Sequence, residues 1–93
     1  MKYLVRMDMN MPEGLAADER TALLEQEAVR SHQLQREGKW PEIWRVVGEQ
    51  ALYNVFDVAG NEELHEILQG LPLFPYMRIS VTPLAPHPLD VKL

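Results

Sequence analysis

The sequence lacks several features that would assign it to a common chemical class. None of its 93 residues is cysteine, which excludes disulfide bonds, cysteine-ligated zinc and thiol catalysis. The absence of cysteine also fits a reducing cytoplasm, although it does not establish that location. The sequence also has no glycine-rich phosphate loop, no Ser-His-Asp pattern and no metal-ligand cluster, and its three histidines are scattered. We therefore expect neither a bound metal nor a cofactor.

Long apolar runs and excess positive charge are missing too. Charged side chains interrupt the apolar residues 1–8, a pattern that fits neither a signal peptide nor a membrane span. The formal net charge of −5 argues against nucleic acids and membranes as partners. The 9 lysine and arginine residues still suffice for a local cationic pocket that binds a small anion.

The length predicts one domain over residues 1–93, in which residues 84–93 form an extended, proline-rich arm. A chain of this size buries roughly 60–65% of the surface of its unfolded state, so its core is small. A small core often needs further stabilisation, and association with other copies is one source of it.

Hydrophobic periodicity predicts the elements in the order β-α-β-β-α-β. Each predicted strand shows either alternation of apolar and polar residues or enrichment in β-branched and aromatic residues. Gly38 and Gly70 are expected to end the two helices. We take Asn61 as the N-cap of the second helix. The predicted strands span residues 2–10, 43–47, 51–58 and 77–84, and the predicted helices span residues 16–37 and 61–69.

This order is that of the split βαβ, ferredoxin-like α+β fold. It has a four-stranded antiparallel sheet with two helices on one face. Methionine and aromatic residues recur in the predicted strands, so we expect the other face of the sheet to be apolar as well. A second subunit would cover that face, and we predict a homo-oligomer.

One acidic residue lies on the apolar face of the long helix. On a helical wheel with Leu24 at 0°, Glu27 falls at about −60°, between Leu34 and Ser31. A buried carboxylate either finds a partner or raises its pKa, and a raised pKa suits a general base. Glu27 is therefore the candidate catalytic residue. The alternative is that Glu27 lies at the edge of the apolar stripe and reaches water or pairs with Arg30.

A cation and an apolar segment are further candidates. Arg45 lies in an apolar strand and would hold a substrate carboxylate, unless it pairs with Asp57 or a neighbouring subunit. His65 would close a pocket as a polar group, or lie on the surface. Residues 71–76 are apolar and irregular, which is typical of a pocket lining or a contact with another chain. This set suits a cofactor-free proton transfer on a small anionic substrate.

The chain resembles the muconolactone delta-isomerases over nearly its whole length. The most specific match is Leu-Pro-Leu-Phe-Pro-Tyr-Met at residues 71–77. Further matching segments are residues 5–12, 34–40, 43–48, 56–58, 63–65 and 87–88.

The resemblance implies a cytoplasmic, cofactor-free enzyme of the catechol branch of the β-ketoadipate pathway, assembled as a ring-shaped decamer of five dimers. The family reaction is a 1,3-proton shift that converts muconolactone, a small anionic lactone, to 3-oxoadipate enol-lactone. Glu27 matches the helix glutamate expected to act as the base. Relatives often have a lysine one turn earlier, where this chain has Leu24, and Arg20 on the same face would take its place.

Two other functions remain open. The missing lysine would also fit an isomerase or dehalogenase of methyl- or chloro-substituted muconolactones. A non-catalytic, oligomeric ligand-binding module is the third possibility, although such a module has no need of Glu27. The candidate substrate-binding residues are Arg20, Ser31, Arg45, Tyr53, His65, Phe74 and Tyr76.

Overall fold

The computed structural model describes residues 1–92, and within them the predicted order of elements is confirmed. Three antiparallel pairings give a four-stranded sheet in the order β2-β3-β1-β4, which is the ferredoxin-like α+β fold. A single 3₁₀ turn, Phe74–Tyr76, precedes the last strand. The strands are β1 (Lys2–Met9), β2 (Glu42–Arg45), β3 (Ala51–Asp57) and β4 (Met77–Leu84), and the helices are α1 (Ala17–Arg36) and α2 (Asn61–Gln69).

The core lies between the helices and one face of the sheet. Alternation along β1 turns Tyr3, Val5 and Met7 towards the helices, and each is almost completely buried. In the register of the sheet, Tyr3 faces Phe56 of β3, and both belong to one hydrophobic cluster. The helices and the segment that follows α2 complete this cluster with Leu34, Leu64, Ile67, Leu68 and Leu71.

A buried amide fixes the chain just after α1. Asn54 is fully buried on β3; its Nδ2 donates to the carbonyl of Val5, and its Oδ1 accepts from Nε1 of Trp40, both at 3.1 Å. Trp40 also stacks on Phe56, with 4.8 Å between ring centroids. Because every polar atom of the Asn54 side chain has a partner, its burial is offset and the C-terminal end of α1 is held against the sheet.

The opposite face of the sheet remains open in the single chain. Trp44 is 63% exposed there, and Tyr53, its register partner, is 38% exposed. Arg6 lies on the same face, on β1, and its side chain donates to the carboxylates of Asp8 and Glu49. Its guanidinium carbon lies 5.2 Å from the Tyr53 ring centroid. This is the face for which cover was predicted, but it is less apolar than expected. The register also places Lys2, Asp57 and Arg78 on it, beside the ion-paired Arg6.

Several predicted boundaries change by a few residues. The second strand ends at Arg45 rather than Val47, because Glu49 donates to the carbonyl of Val46 and closes a turn over residues 46–49. Gly38 has the left-handed conformation expected after a helix, with φ of 76°.

The prediction that Asn61 caps α2 was wrong. The N-cap is Gly60, and the Asn61 side chain instead accepts the hydroxyl proton of Tyr3.

The C-terminal arm begins one residue later than predicted. Leu84 is the last residue of β4, and the described part of the arm is residues 85–92. The arm is not fully extended, because Asp90 donates its N–H to the carbonyl of His87. The last residue of the predicted arm, Leu93, lies outside the described residues. Across residues 1–92, no helix has both the length and the apolar character needed to cross a membrane.

Candidate active site

Glu27 occupies the middle of the α1 stripe that turns towards the protein. Leu34 at one end of this stripe is completely buried, and Leu23, Glu27 and Ser31 are half-buried. Leu24, the reference residue of the helical wheel, is 49% exposed. The centre of the buried face of α1 therefore lies closer to Glu27 than to Leu24. The sequence therefore places a carboxylate where an amphipathic helix ordinarily carries an aliphatic side chain.

The carboxylate of Glu27 contacts the backbone of the irregular segment before β4. Its Oε1 accepts a hydrogen bond of 2.9 Å from the N–H of Leu73. Burial raises the pKa of the Glu27 carboxyl above its ordinary value, and the hydrogen bond from Leu73 lowers it and offsets part of that effect. A half-buried carboxyl with a raised pKa is suited to take up and release a proton near neutral pH.

The segment beside Glu27 provides an apolar wall. Leu71 and Leu73 are buried, whereas Phe74 is 36% exposed and Tyr76 is half-buried. Two prolines interrupt regular structure here, and only one 3₁₀ turn forms. The segment predicted to be irregular is therefore irregular from Leu71 to Leu73, and it forms a 3₁₀ turn from Phe74 to Tyr76.

Neither alternative ion pair forms in the described chain. Arg30 donates to the side chain of Gln33 at 3.0 Å, rather than to Glu27. The register places Arg45 and Asp57 on opposite faces of the sheet, and Asp57 lies 3.6 Å from the N-terminal ammonium. Within residues 1–92, Arg45 has no ion-pair partner.

Most of the candidate binding residues lie on the helix-bearing side of the sheet. Ser31 is one turn after Glu27 on α1, and its hydroxyl donates to the carbonyl of Ala28. Arg20 is exposed two turns before Glu27. Arg45 projects from the helix-bearing face of β2 and is exposed.

Two candidates lie away from Glu27 within one chain. Tyr53 projects from the open face of the sheet, beneath Arg6, so the sheet itself separates it from Glu27. His65 is exposed on α2 and lines a separate groove with Asn61 and Val81. Within one chain, Tyr53 therefore lies across the sheet from Glu27, and His65 belongs to a different groove.

Two features of the site bear on its chemistry. Among residues 1–92, no group of three or more His, Cys, Asp or Glu side chains is arranged to hold a metal ion. The hydrogen bond from the N–H of Leu73 to Glu27 could not be predicted from the sequence, because side-chain patterns carry no information about a backbone donor. The available signal was Pro72, which restricts the backbone immediately before Leu73.

Comparisons with known proteins agree with this architecture. A profile described as muconolactone delta-isomerase matches residues 1–90. The chain is 52% identical to the muconolactone delta-isomerase of Cupriavidus pinatubonensis over 99% of this chain and 100% of that protein. It is 51% identical to the Rhodococcus opacus enzyme of the same name, over 97% of each chain.

A solved structure supports the same assignment. The crystal structure of a muconolactone isomerase superposes with a TM-score of 0.93 at 42% identity, covering 98% of this chain and 95% of that chain. The match therefore extends over the whole fold, including α1 and the segment beside Glu27. The chain belongs to the muconolactone delta-isomerase family.

Proposed function

We propose that this protein isomerises muconolactone to 3-oxoadipate enol-lactone without a cofactor, in the cytoplasm. The observation that carries the proposal is the half-buried Glu27 carboxyl with its raised pKa beside an apolar wall. Family membership and about 50% identity to several muconolactone delta-isomerases support the choice of substrate.

A single carboxylate suffices for this reaction. The ring carbon that bears the acetate arm is vinylogous to the lactone carbonyl, so loss of its proton gives a delocalised, furan-like dienolate. Glu27 removes that proton: the C–H bond breaks, an O–H bond forms, and the electron pair spreads to the carbonyl oxygen. The same carboxyl then returns the proton to the carbon beside the carbonyl, and the double bond has moved by one position.

The remaining candidates have roles in binding. Arg45 is unpaired within the described chain and lies on the correct side of the sheet, so it is our first choice for the acetate group. Arg20 is the second choice, on the same helix as Glu27. Phe74 and Tyr76 would line the ring pocket with Ser31.

We further propose a homo-oligomer, a decamer built of dimers, in which other copies complete the pocket. The support for association in this chain is the exposure of two large aromatic side chains, Trp44 and Tyr53, on the open face of the sheet. In such an assembly, Tyr53 and His65 of a neighbouring copy would reach the pocket. Light scattering on the purified protein tests this proposal, and a peak at the chain mass of 10.7 kDa would contradict it.

The experiment that tests the reaction is an ultraviolet progress curve with muconolactone, run beside 5-chloromuconolactone with chloride detection. We expect fast isomerisation of the unsubstituted lactone. In deuterated water, protium retained on the carbon beside the carbonyl reports direct return of the proton by Glu27, and deuterium there reports exchange of the carboxyl proton with solvent before its return. Preference for the chlorinated lactone with chloride release would instead favour the dehalogenase function. Inactivity with both lactones would contradict an enzymatic role.

A further inference from the structure

The N–H of Leu73 differs from the other backbone donors of its segment. Residues 71–77 contain two prolines, so five N–H groups remain, and each has a partner. Four of them bond to backbone carbonyl oxygens. Only the N–H of Leu73 is given to a side chain, that of Glu27, 46 residues away in the sequence. Because buried backbone donors are almost always paired, and most often with backbone carbonyl groups, this assignment singles out one amide.

The segment holds this amide independently of Glu27. Pro72 restricts the backbone immediately before Leu73, and the Leu71 and Leu73 side chains are buried. Immediately afterwards, Phe74 donates to the carbonyl of Leu71 at 2.9 Å, and Tyr76 donates to that of Leu73 at 2.9 Å. The donor therefore has restraints other than its bond to the carboxylate, which is the condition for a preorganised contact.

Because Leu73 engages Oε1, the two carboxylate oxygens of Glu27 are no longer equivalent. Within residues 1–92, Oε2 has no hydrogen-bond partner. Building on the proposed function, we propose that the backbone N–H of Leu73 is the positioning group for catalysis. It fixes Oε1, so that Oε2 is the oxygen that takes the proton from the ring carbon and returns it.

The same contact tunes the basicity of Glu27. Burial raises its pKa and the Leu73 N–H lowers it, so loss of the N–H shifts the pKa further upward. Few other charges face this carboxyl. On α1, Arg30 is engaged with Gln33 and Arg20 is exposed two turns away, and on β2 Arg45 is exposed. Within residues 71–77, Tyr76 is the single titratable side chain.

Amide-to-ester replacement tests the proposal. The full chain is synthesised with an ester in place of the Pro72–Leu73 amide, and the matched control carries an ester in place of the Gly70–Leu71 amide. Each ester removes one hydrogen bond of a backbone N–H, at 2.9 Å for Leu73 and 3.2 Å for Leu71, but only the first removes the contact to Glu27. A merely structural role predicts that the two variants behave alike.

For the Leu73 ester, we expect the acidic limb of the kcat/KM profile to move upward by about 1 pH unit. We also expect kcat to fall while KM stays within about twofold, because the contact acts on the proton-transfer group rather than on substrate binding. The Leu71 ester keeps the parental limb. Identical profiles for the two esters would overturn the proposal.

A second measurement needs neither an ester nor a substrate. In the unmodified protein, the amide proton resonance of Leu73 should titrate together with the side-chain carboxyl carbon of Glu27, and that of Tyr76 should not. In Glu27→Gln the Leu73 resonance should become independent of pH. A Leu73 amide resonance that does not shift as Glu27 titrates would overturn this inference. Inactivity of the unmodified protein on muconolactone would instead overturn the proposed function.

Discussion

The two helices lie over the same face of the sheet but are built for different purposes. In α2, Leu64, Ile67 and Leu68 are buried within 9 residues. In α1, which has 20 residues, only Leu34 is buried, and Glu27 occupies a central position on the inner stripe. The shorter helix therefore contributes more to the core than the longer one.

This difference separates stability from chemistry. The buried leucine and isoleucine side chains of α2 each remove apolar surface from water. Along α1, a carboxylate takes the place of such a side chain, and Leu24 and Val29 stay 49% and 68% exposed in the single chain. The helix with fewer buried side chains is therefore the one that carries the candidate base. Functional sites commonly lie in regions of lower local stability.

The largest expected difference between the helices is in the cost of truncating a leucine. Leu64→Ala removes a side chain that is 3% exposed, and we expect the free energy of unfolding to fall by about 2–4 kcal/mol. Leu24→Ala on α1 removes a side chain that is half exposed and should cost less than about 1 kcal/mol. Urea denaturation of both variants at equal protein concentration checks this, and equal losses would contradict the contrast.

A smaller effect concerns the stability cost of the candidate base. Because burial raises the folded-state pKa of Glu27, its ionised form destabilises the fold at pH values above that pKa. Glu27→Gln still accepts the Leu73 N–H and should be more stable than the parent at pH 7. Since the carboxyl is half exposed, we expect less than about 1 kcal/mol, and the gain should vanish below pH about 4.5. A variant that is less stable at pH 7 would show that Glu27 mainly ties α1 to its neighbours.

The smallest effect is at the start of α2. Glu63 accepts the N–H of Ala59 and lies 3.2 Å from Nζ of Lys39, and these two contacts lower the pKa of its carboxyl. A carboxyl whose pKa is lowered by folding stabilises the fold at pH values above its ordinary pKa. This stabilisation is lost as the pH falls through the folded-state pKa. Glu63→Gln should therefore lower Tm more at pH 7 than at pH 3. Glu66→Gln on the same helix is the matched control and should leave Tm unchanged at both.

The sequence was sufficient to predict the fold because its periodic patterns have a direct structural meaning. Alternation in β1 and β3, together with Gly38 after α1, led to the observed order and pairing. The boundaries were less accurate where a side chain had a tertiary partner. Asn61 was expected to cap α2, but the Tyr3 hydroxyl competes for its side-chain oxygen.

The candidate site was only partly predictable. The helical wheel identified Glu27, because an acid on an apolar stripe is visible in the sequence. It could not predict that Leu73, rather than Arg30, would be the partner, since that contact depends on how a distant segment folds. Placement of Tyr53 on the open face follows from strand register, which shows that a pocket containing both Tyr53 and Glu27 requires more than one chain.

The most direct test of the central claim compares Glu27→Gln with Glu25→Gln, its exposed neighbour on α1. Both variants neutralise one carboxylate on the same helix, and muconolactone turnover is measured after assembly has been checked by light scattering. We expect kcat to fall by roughly 10²–10⁴-fold in Glu27→Gln and to stay within about twofold of the parent in Glu25→Gln. Parental turnover by an assembled Glu27→Gln protein would contradict the assignment of Glu27 as the base.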